Sequence, residues 1–219
     1  MAQALSGVQV ANGFVDRVYA KLTPVYDIAF GPALQAGREA AIERMQIQRG
    51  DRVLEVGIGT GLTATLYPRE CQVTGIDLSA AMLEKAGERL RHAQVRHVRL
   101  VQMDAAAMRF DDESFDVAYA PYTISVVPDP VRVAREMYRV CKPGGHIVFL
   151  NHFRSTNRLI ALLERAISPM TVHVGFKADL DLQAFLAQAG LAPASIEKVN
   201  VPHIWTLVTC IRDARRTAG

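Results

Sequence analysis

The feature that most limits what this chain can fold into is the alternation of short β-branched runs with helical patterns between residues 50 and 150. The runs lie at Arg52–Val56, Gln72–Ile76, Val95–Val101, Phe115–Tyr119 and His146–Leu150, each bounded by turn residues. Helical patterns fall between them at Gly61–Tyr67, Ala80–Arg91 and Pro130–Val140, the last stopped by Lys142-Pro143-Gly144-Gly145, which cannot continue a helix. Strands joined by crossover helices run parallel in one sheet. Two later runs, Ala194–Val201 and Trp205–Arg212, lie close together and suit an antiparallel hairpin added to that sheet. The expectation is an α/β fold with a seven-stranded, mostly parallel sheet.

With 219 residues, half of them hydrophobic, the chain can bury a full core as a single domain. It has three cysteines, Cys71, Cys141 and Cys210, with no CxxC or Cys/His spacing, so neither a disulfide framework nor a metal site is expected. Residues 1–10 lack the basic start and long apolar run of a secretory signal, and no stretch is apolar enough to span a bilayer. These features predict a cytoplasmic protein. A net charge of +3 and the lack of a recognised binding motif argue against nucleic acid as a partner.

The first chemical motif is Val53-Leu54-Glu55-Val56-Gly57-Ile58-Gly59-Thr60-Gly61, an apolar strand running into three glycines at alternate positions. Glycines there let the backbone turn sharply and approach a ligand closely. Alone, the motif is also compatible with a plain strand-to-helix turn. The next run ends in Gly75-Ile76-Asp77-Leu78-Ser79, which puts an acid 16 residues past Gly61, where a carboxylate can take both hydroxyls of a ribose. The glycine spacing is G-x-G-x-G rather than the dinucleotide G-x-G-x-x-G, so no pyrophosphate is expected. Glu55 puts a carboxylate near the ligand's tail and suits a cation. S-adenosylmethionine, with its sulfonium and ammonium groups, meets those conditions.

Outside this core, Val10, Phe14, Val18 and Leu22 recur every four residues and give an N-terminal helix one apolar face. Such a face packs on the body of a protein or enters a membrane interface. After the fifth strand, His152, Arg154, Arg158, Arg165, His173 and Lys177 surround an apolar helix at Leu159–Ile167, and arginines of this kind can hold a phosphodiester or form a solvated face. The chain is accordingly divided into a helical lid at 1–46 and a core at 47–219.

At these residues the chain resembles the class I S-adenosylmethionine-dependent methyltransferases. The similarity runs on through Met103-Asp104-Ala105, Phe115-Asp116-Val117-Ala118-Tyr119 and Cys141-Lys142-Pro143-Gly144-Gly145. Within that class, Tyr19, Thr23-Pro24-Val25-Tyr26-Asp27 and Gly37-Arg38-x-x-Ala-Ile, followed by the glycine motif, resemble the bacterial phospholipid N-methyltransferases. Those enzymes in turn resemble quinone-biosynthesis C-methyltransferases.

The resemblance implies a Rossmann-like fold and roles for named residues. Glu55, Gly57, Gly59, Gly61, Asp77, Leu78, Met82, Asp104, Ala105 and Ala120 would bind S-adenosylmethionine and release S-adenosylhomocysteine. Tyr19, Tyr26 and His152 would serve catalysis, and Tyr122, Arg158, Arg165 and Lys177 the acceptor. Asp104 is also placed to cap a helix at Ala105, and Asp116 reads as a solvated strand-end acid. The implied reaction is stepwise methylation of phosphatidylethanolamine towards phosphatidylcholine, by an enzyme held peripherally at the inner face of the cytoplasmic membrane on anionic lipid. The alternative is C- or O-methylation of a quinone precursor or another small apolar acceptor, with His152 as the base.

Overall fold

All seven expected strands are present in the computed structural model, which describes residues 34–154, 180–200 and 205–213. In chain order the elements are helix α1 (34–45), β1 (Arg52–Val56), β2 (Gln72–Asp77), α2 (Ala80–His92), β3 (Val98–Gln102), β4 (Phe115–Pro121), α3 (Pro130–Val140), β5 (Cys141–His152), α4 (Leu182–Ala189), β6 (Pro193–Val199) and β7 (Trp205–Ile211). They form one sheet in the order β3-β2-β1-β4-β5-β7-β6. The pairs from β3 across to β5 are parallel, and β7 runs antiparallel to both β5 and β6. The strand order reverses between β1 and β4, the place where open sheets of this kind bind ligands at the carboxyl ends of their strands.

Alternate residues of each strand point to opposite faces, so neighbours such as Val53 and Leu54, or Ile147 and Val148, fall in different cores. On one face Leu54, Ile76, Ala118, Ile147 and Phe149 meet Val133, Met137 and Val140 of α3 and Phe185 of α4. On the other, Val53, Val117, Tyr119, Val148 and Leu207 meet Ala41 and Met45 of α1 and Tyr67.

The helices form where periodicity and caps agree. In α3 Asp129 accepts a hydrogen bond from the Arg132 amide at 2.9 Å and Pro130 occupies the first turn. α4 adds to the expected elements, capped by Asp181 on the Ala184 amide at 2.8 Å and closed by Gly190 at φ +72°.

Three expectations are corrected. Gly61–Tyr67 is a series of turns rather than a helix. Thr60, Thr63 and Thr65 are β-branched, the Thr65 hydroxyl donates to the Leu62 carbonyl, and Pro68 stops extension, so the segment cannot repay helix nucleation. β3 starts at Val98, because Gln94 adopts φ +54° and the Val95 amide bonds back to the Leu90 carbonyl. β5 begins earlier than expected, at Cys141 opposite Phe115, and shifts register where Gly144 takes φ +78°.

The three cysteines are free and buried, and burial pushes Cys71 up to about 11 and Cys141 and Cys210 up to about 12, so none is a thiolate nucleophile. Among the described residues no helix is long and apolar enough to cross a membrane. No group of three or more His, Cys, Asp or Glu side chains that could hold a metal ion is gathered there either.

Candidate functional site

The glycine turn leaves β1 with tight constraints. The Gly57 amide donates to the Ile76 carbonyl at 2.8 Å while φ is +70°, and a Cβ there would lie 2.3 Å from the Thr123 hydroxyl. No side chain fits. Gly59 faces open space, with nothing within 4 Å of where its Cβ would be, and its amide donates to Asp77 Oδ2 at 2.9 Å. Gly61 packs against Ala86 of α2 and lies outside the cavity wall.

The cavity beside this turn has a volume of about 390 Å³ and sits at the carboxyl ends of β1, β2, β3 and β4. Asp77 enters it from the end of β2, held by the Gly59 amide on one oxygen and the Ser79 amide on the other, both at 2.9 Å. Each carboxylate oxygen has a second lone pair, so a diol can bind without displacing these donors. Leu78, Met82 and Met103 give the same space apolar walls, with Leu78 exposed at the rim. Asp104 and Ala105 complete that side, and Asp104 Oδ1 also accepts from the Ala106 amide at 2.8 Å, closing a side-chain turn rather than capping a helix, because no helix starts at Ala105.

At the other end of the cavity lies Glu55, 1 % exposed, with neither carboxylate oxygen hydrogen-bonded. Burial pushes this carboxyl up to about 8, against the opposing pull of the nearby Tyr67 and Thr63 hydroxyls and the Arg38 guanidinium. Neither hydroxyl is aligned for a hydrogen bond of normal geometry. Arg38 lines the cavity from α1, is itself buried, and stacks over the Tyr122 ring at 5.1 Å. An orphaned acid and a buried cation thus share one end of the cavity, which suits a zwitterionic tail.

Tyr122 forms part of the wall in a left-handed conformation, φ +56°. Its hydroxyl donates to the Leu34 carbonyl at 2.9 Å and accepts from Asn200 Nδ2 at 3.2 Å, so the ring rather than the hydroxyl meets the cavity. Trp205 packs edge-on against it at 4.9 Å. His152, at the end of β5, packs edge-on against Trp205 at 5.9 Å and does not line the cavity. Ala120 is fully buried in the core, and the next residue, Pro121, is the one at the wall. Asp116 is fixed by the Arg52 amide at 2.9 Å and by Lys142 at 2.6 Å, which hold it below its usual range although burial opposes them. It has no part in the cavity. Tyr19, Tyr26, Arg158, Arg165 and Lys177 lie outside the described residues, as does the apolar face at Val10, Phe14, Val18 and Leu22.

The structure brings Glu55, Gly57, Gly59, Asp77, Leu78, Met82, Asp104, Ala105 and Tyr122 around one space. It adds Arg38 and Thr123, to which the sequence assigns no ligand role. For Arg38 the available signal was its place beside Gly37, whose Cβ would fall 2.8 Å from the Tyr122 hydroxyl, so that glycine seats α1 against the wall.

A family described as a methyltransferase domain matches residues 54–149. A phosphatidylethanolamine N-methyltransferase of Cereibacter sphaeroides is 39% identical over 178 residues, covering 81% of this chain and 87% of that protein. A demethylmenaquinone methyltransferase of Listeria welshimeri is 34% identical over 146 residues, 63% of this chain and 61% of that protein. Among solved structures, Haemonchus contortus phosphoethanolamine N-methyltransferase 2 in complex with S-adenosyl-L-methionine shares the fold. Its TM-score is 0.74 at 18% identity, over 94% of this chain and 61% of that one.

Proposed function

Because the chain belongs to the class I S-adenosylmethionine-dependent methyltransferases, we propose that it methylates the amine of phosphatidylethanolamine and of its partly methylated forms, towards phosphatidylcholine. What carries this reading is the 39% identity to the Cereibacter protein over 87% of that protein's length.

The residues present fit the cofactor. When bound, S-adenosylmethionine supplies an electrophilic methyl group on a sulfonium. Glu55 would face the ammonium, Arg38 the carboxylate and Asp77 the ribose hydroxyls, while Leu78, Met82 and Met103 would hold the adenine near Asp104. Glu55 needs a cationic partner most, being buried and unpaired, and such a partner would favour its ionised form. Methyl transfer is an in-line displacement, so the chain's task is to align acceptor and methyl group and exclude water. Tyr122 contributes a fixed aromatic wall, and its hydroxyl, already engaged twice, sets the position of α1. On this reading Tyr26 orients the amine. The chain meets the membrane through Phe14 and its apolar neighbours, with Lys21, Arg158 and Arg165 attracted to anionic lipid, whereas Arg154, expected to join them, pairs with Asp181.

Methylation of a quinone precursor is the second reading, favoured by the 34% identity to the Listeria protein, though over a smaller share of both chains. The two separate in one experiment. The full chain is incubated with methyl-labelled cofactor and liposomes containing phosphatidylethanolamine and demethylmenaquinone, and the labelled products are identified. Label in mono-, di- or trimethylated phospholipid is the expected result. Label only in the quinone reverses the assignment.

A further inference from the structure

We infer that the amino ends of strands β1 to β4, opposite the cofactor cavity, carry a second binding site, for a soluble phosphate-bearing anion, built from Arg52, Arg96, His97 and Arg99. A groove of about 320 Å³ opens there. Its wall includes Arg52, Gln72, Val98 and Phe115, which are the first residues of β1, β2, β3 and β4, whereas the cofactor cavity lies at the ends of the same strands. Strands of this length put the two sites roughly 20 Å apart, at about 3.3 Å per residue.

The groove exists because of how β3 connects to β4. That crossover contains turns and no helix, and α3 packs on β4 and β5. Arg52, Gln72, Thr74 and Arg99 share the face of Leu54 through the pairs Arg52↔Gln72, Leu54↔Thr74 and Thr74↔Arg99, while α2 packs on β2 and β3 from the other face, where Leu90 meets Val98 and Leu100.

The electrostatics point to a ligand. Arg44, Arg139, Arg154 and Arg212 each pair with a carboxylate. Arg52, Arg96 and Arg99 form no ion pair among the described residues, and no carboxylate lines their groove. The nearby acid, Asp116, is spent on the Arg52 amide and Lys142. His97 Nε2 is buried without a hydrogen-bond partner and can donate to an anionic oxygen. Three guanidinium groups around one space repel each other, and a phosphate that accepts paired hydrogen bonds from them removes that repulsion. A soluble source follows from the lipid-acceptor reading, on which this one step rests. If the acceptor enters at the cofactor cavity, a membrane touching the groove would leave that cavity facing away from the bilayer.

The test is calorimetric titration of inorganic phosphate and of glycerol phosphate into the full chain, with sodium chloride at matched ionic strength as control. Saturable binding is expected, weakened at least about tenfold in R96A/R99A and also weakened in His97→Gln. Cofactor affinity should be unchanged in both variants, which also confirms that they fold. Equal binding by wild type and R96A/R99A, or heats matched by chloride, overturns the site. Phosphatidylglycerol vesicles provide the other arm. Vesicle binding that needs Arg96 and Arg99, with no binding of soluble phosphate, overturns the soluble-ligand proposal. Methyl transfer to phosphatidylethanolamine is scored separately, so failure of the groove and failure of the acceptor reading give different results.

Discussion

The two faces of the sheet are built to different standards. Under α3 and α4 the core is apolar apart from the unpaired Tyr138 hydroxyl, with Phe149 and Phe185 meeting edge-to-face at 5.3 Å and Phe153 beside them. Towards α1 the chain buries polar groups it does not satisfy. Both Glu55 oxygens and the hydroxyls of Tyr67 and Tyr119 lack hydrogen-bond partners, and so does Asn200 Oδ1. Each such group costs stability unless something else completes it. The comparison teaches that the cavity's polar, unsatisfied end is built on the α1 face, while Ile76, Met103 and Val133 of the apolar face give it a fixed wall.

The strongest way to break that comparison is Phe185→Ala. Phe185 is fully buried, so its truncation should cost about 3–5 kcal/mol in urea unfolding. Cofactor affinity measured on the folded fraction should barely change. If affinity falls in step with stability, the division of labour between the faces is wrong.

Asp77→Ala tests the cavity mouth. Loss of an acceptor already fixed by two amides should weaken cofactor binding by on the order of 2 kcal/mol, roughly thirtyfold, in calorimetry. Unchanged affinity would remove Asp77 from the site.

Glu55→Gln should show opposite effects on binding and stability. Its carboxyl is raised from 4.5 to about 8 in the fold, so the folded state holds a proton there that the unfolded state has lost. The stability this contributes is full below pH 4.5 and is lost as pH rises through about 8. Wild type and variant should therefore diverge across that window in ligand-free unfolding, with the variant the more stable at the alkaline end. Cofactor affinity of the variant should drop about tenfold, and wild-type binding near pH 7 should release a proton, visible as a dependence of the heat on buffer ionisation. Parallel stability profiles would place the titrating group elsewhere.

The smallest effect is expected from Tyr119→Phe. Its hydroxyl is fully buried and unpartnered, and burial raises it well above the usual phenol range. Removing the hydroxyl should change stability by less than about 1 kcal/mol, in the stabilising direction. A clear destabilisation in thermal unfolding would mean that the hydroxyl has a partner after all.

Much of the fold was legible because β1, β2 and β4 carry their own punctuation, with glycine, proline or acidic residues at their ends, whereas β3 begins after Gln94-Val95-Arg96-His97 with no such mark and its start was misplaced. The glycine turn and Asp77 were legible for a similar reason, since the required backbone and the acid sit at fixed spacing along the chain. Arg38 was not, because a lone arginine in a helix declares nothing until α1 docks on Tyr122 and buries it. The turns at Gly61–Tyr67 differ from the expected helix because Thr63, Thr65 and a following proline outweigh a short apolar pattern. Helix α4 was missed although Asp181 and Gly190 mark both of its ends, because a helix of eight residues gives little periodicity to read. Ala120 shows the limit of motif transfer, since a shift of one residue along a strand changes which face it joins.

The placement of β7 has a consequence for the order in which the molecule can be assembled. β6 has one neighbour in the sheet, and that neighbour, β7, comes after it in the chain. β7 in turn pairs with β5 along seven consecutive positions from His146↔Ile211 to His152↔Trp205. During synthesis β6 therefore emerges with nothing to pair with, and β5 presents an open apolar edge until residues 205–211 arrive to fill the gap. That interval leaves unpaired strand edges exposed to other chains. Closure depends on contacts distant in sequence, which form slowly because the intervening loop must first be ordered. A nascent chain of this design would depend on the speed with which its latest strand is inserted between two earlier ones.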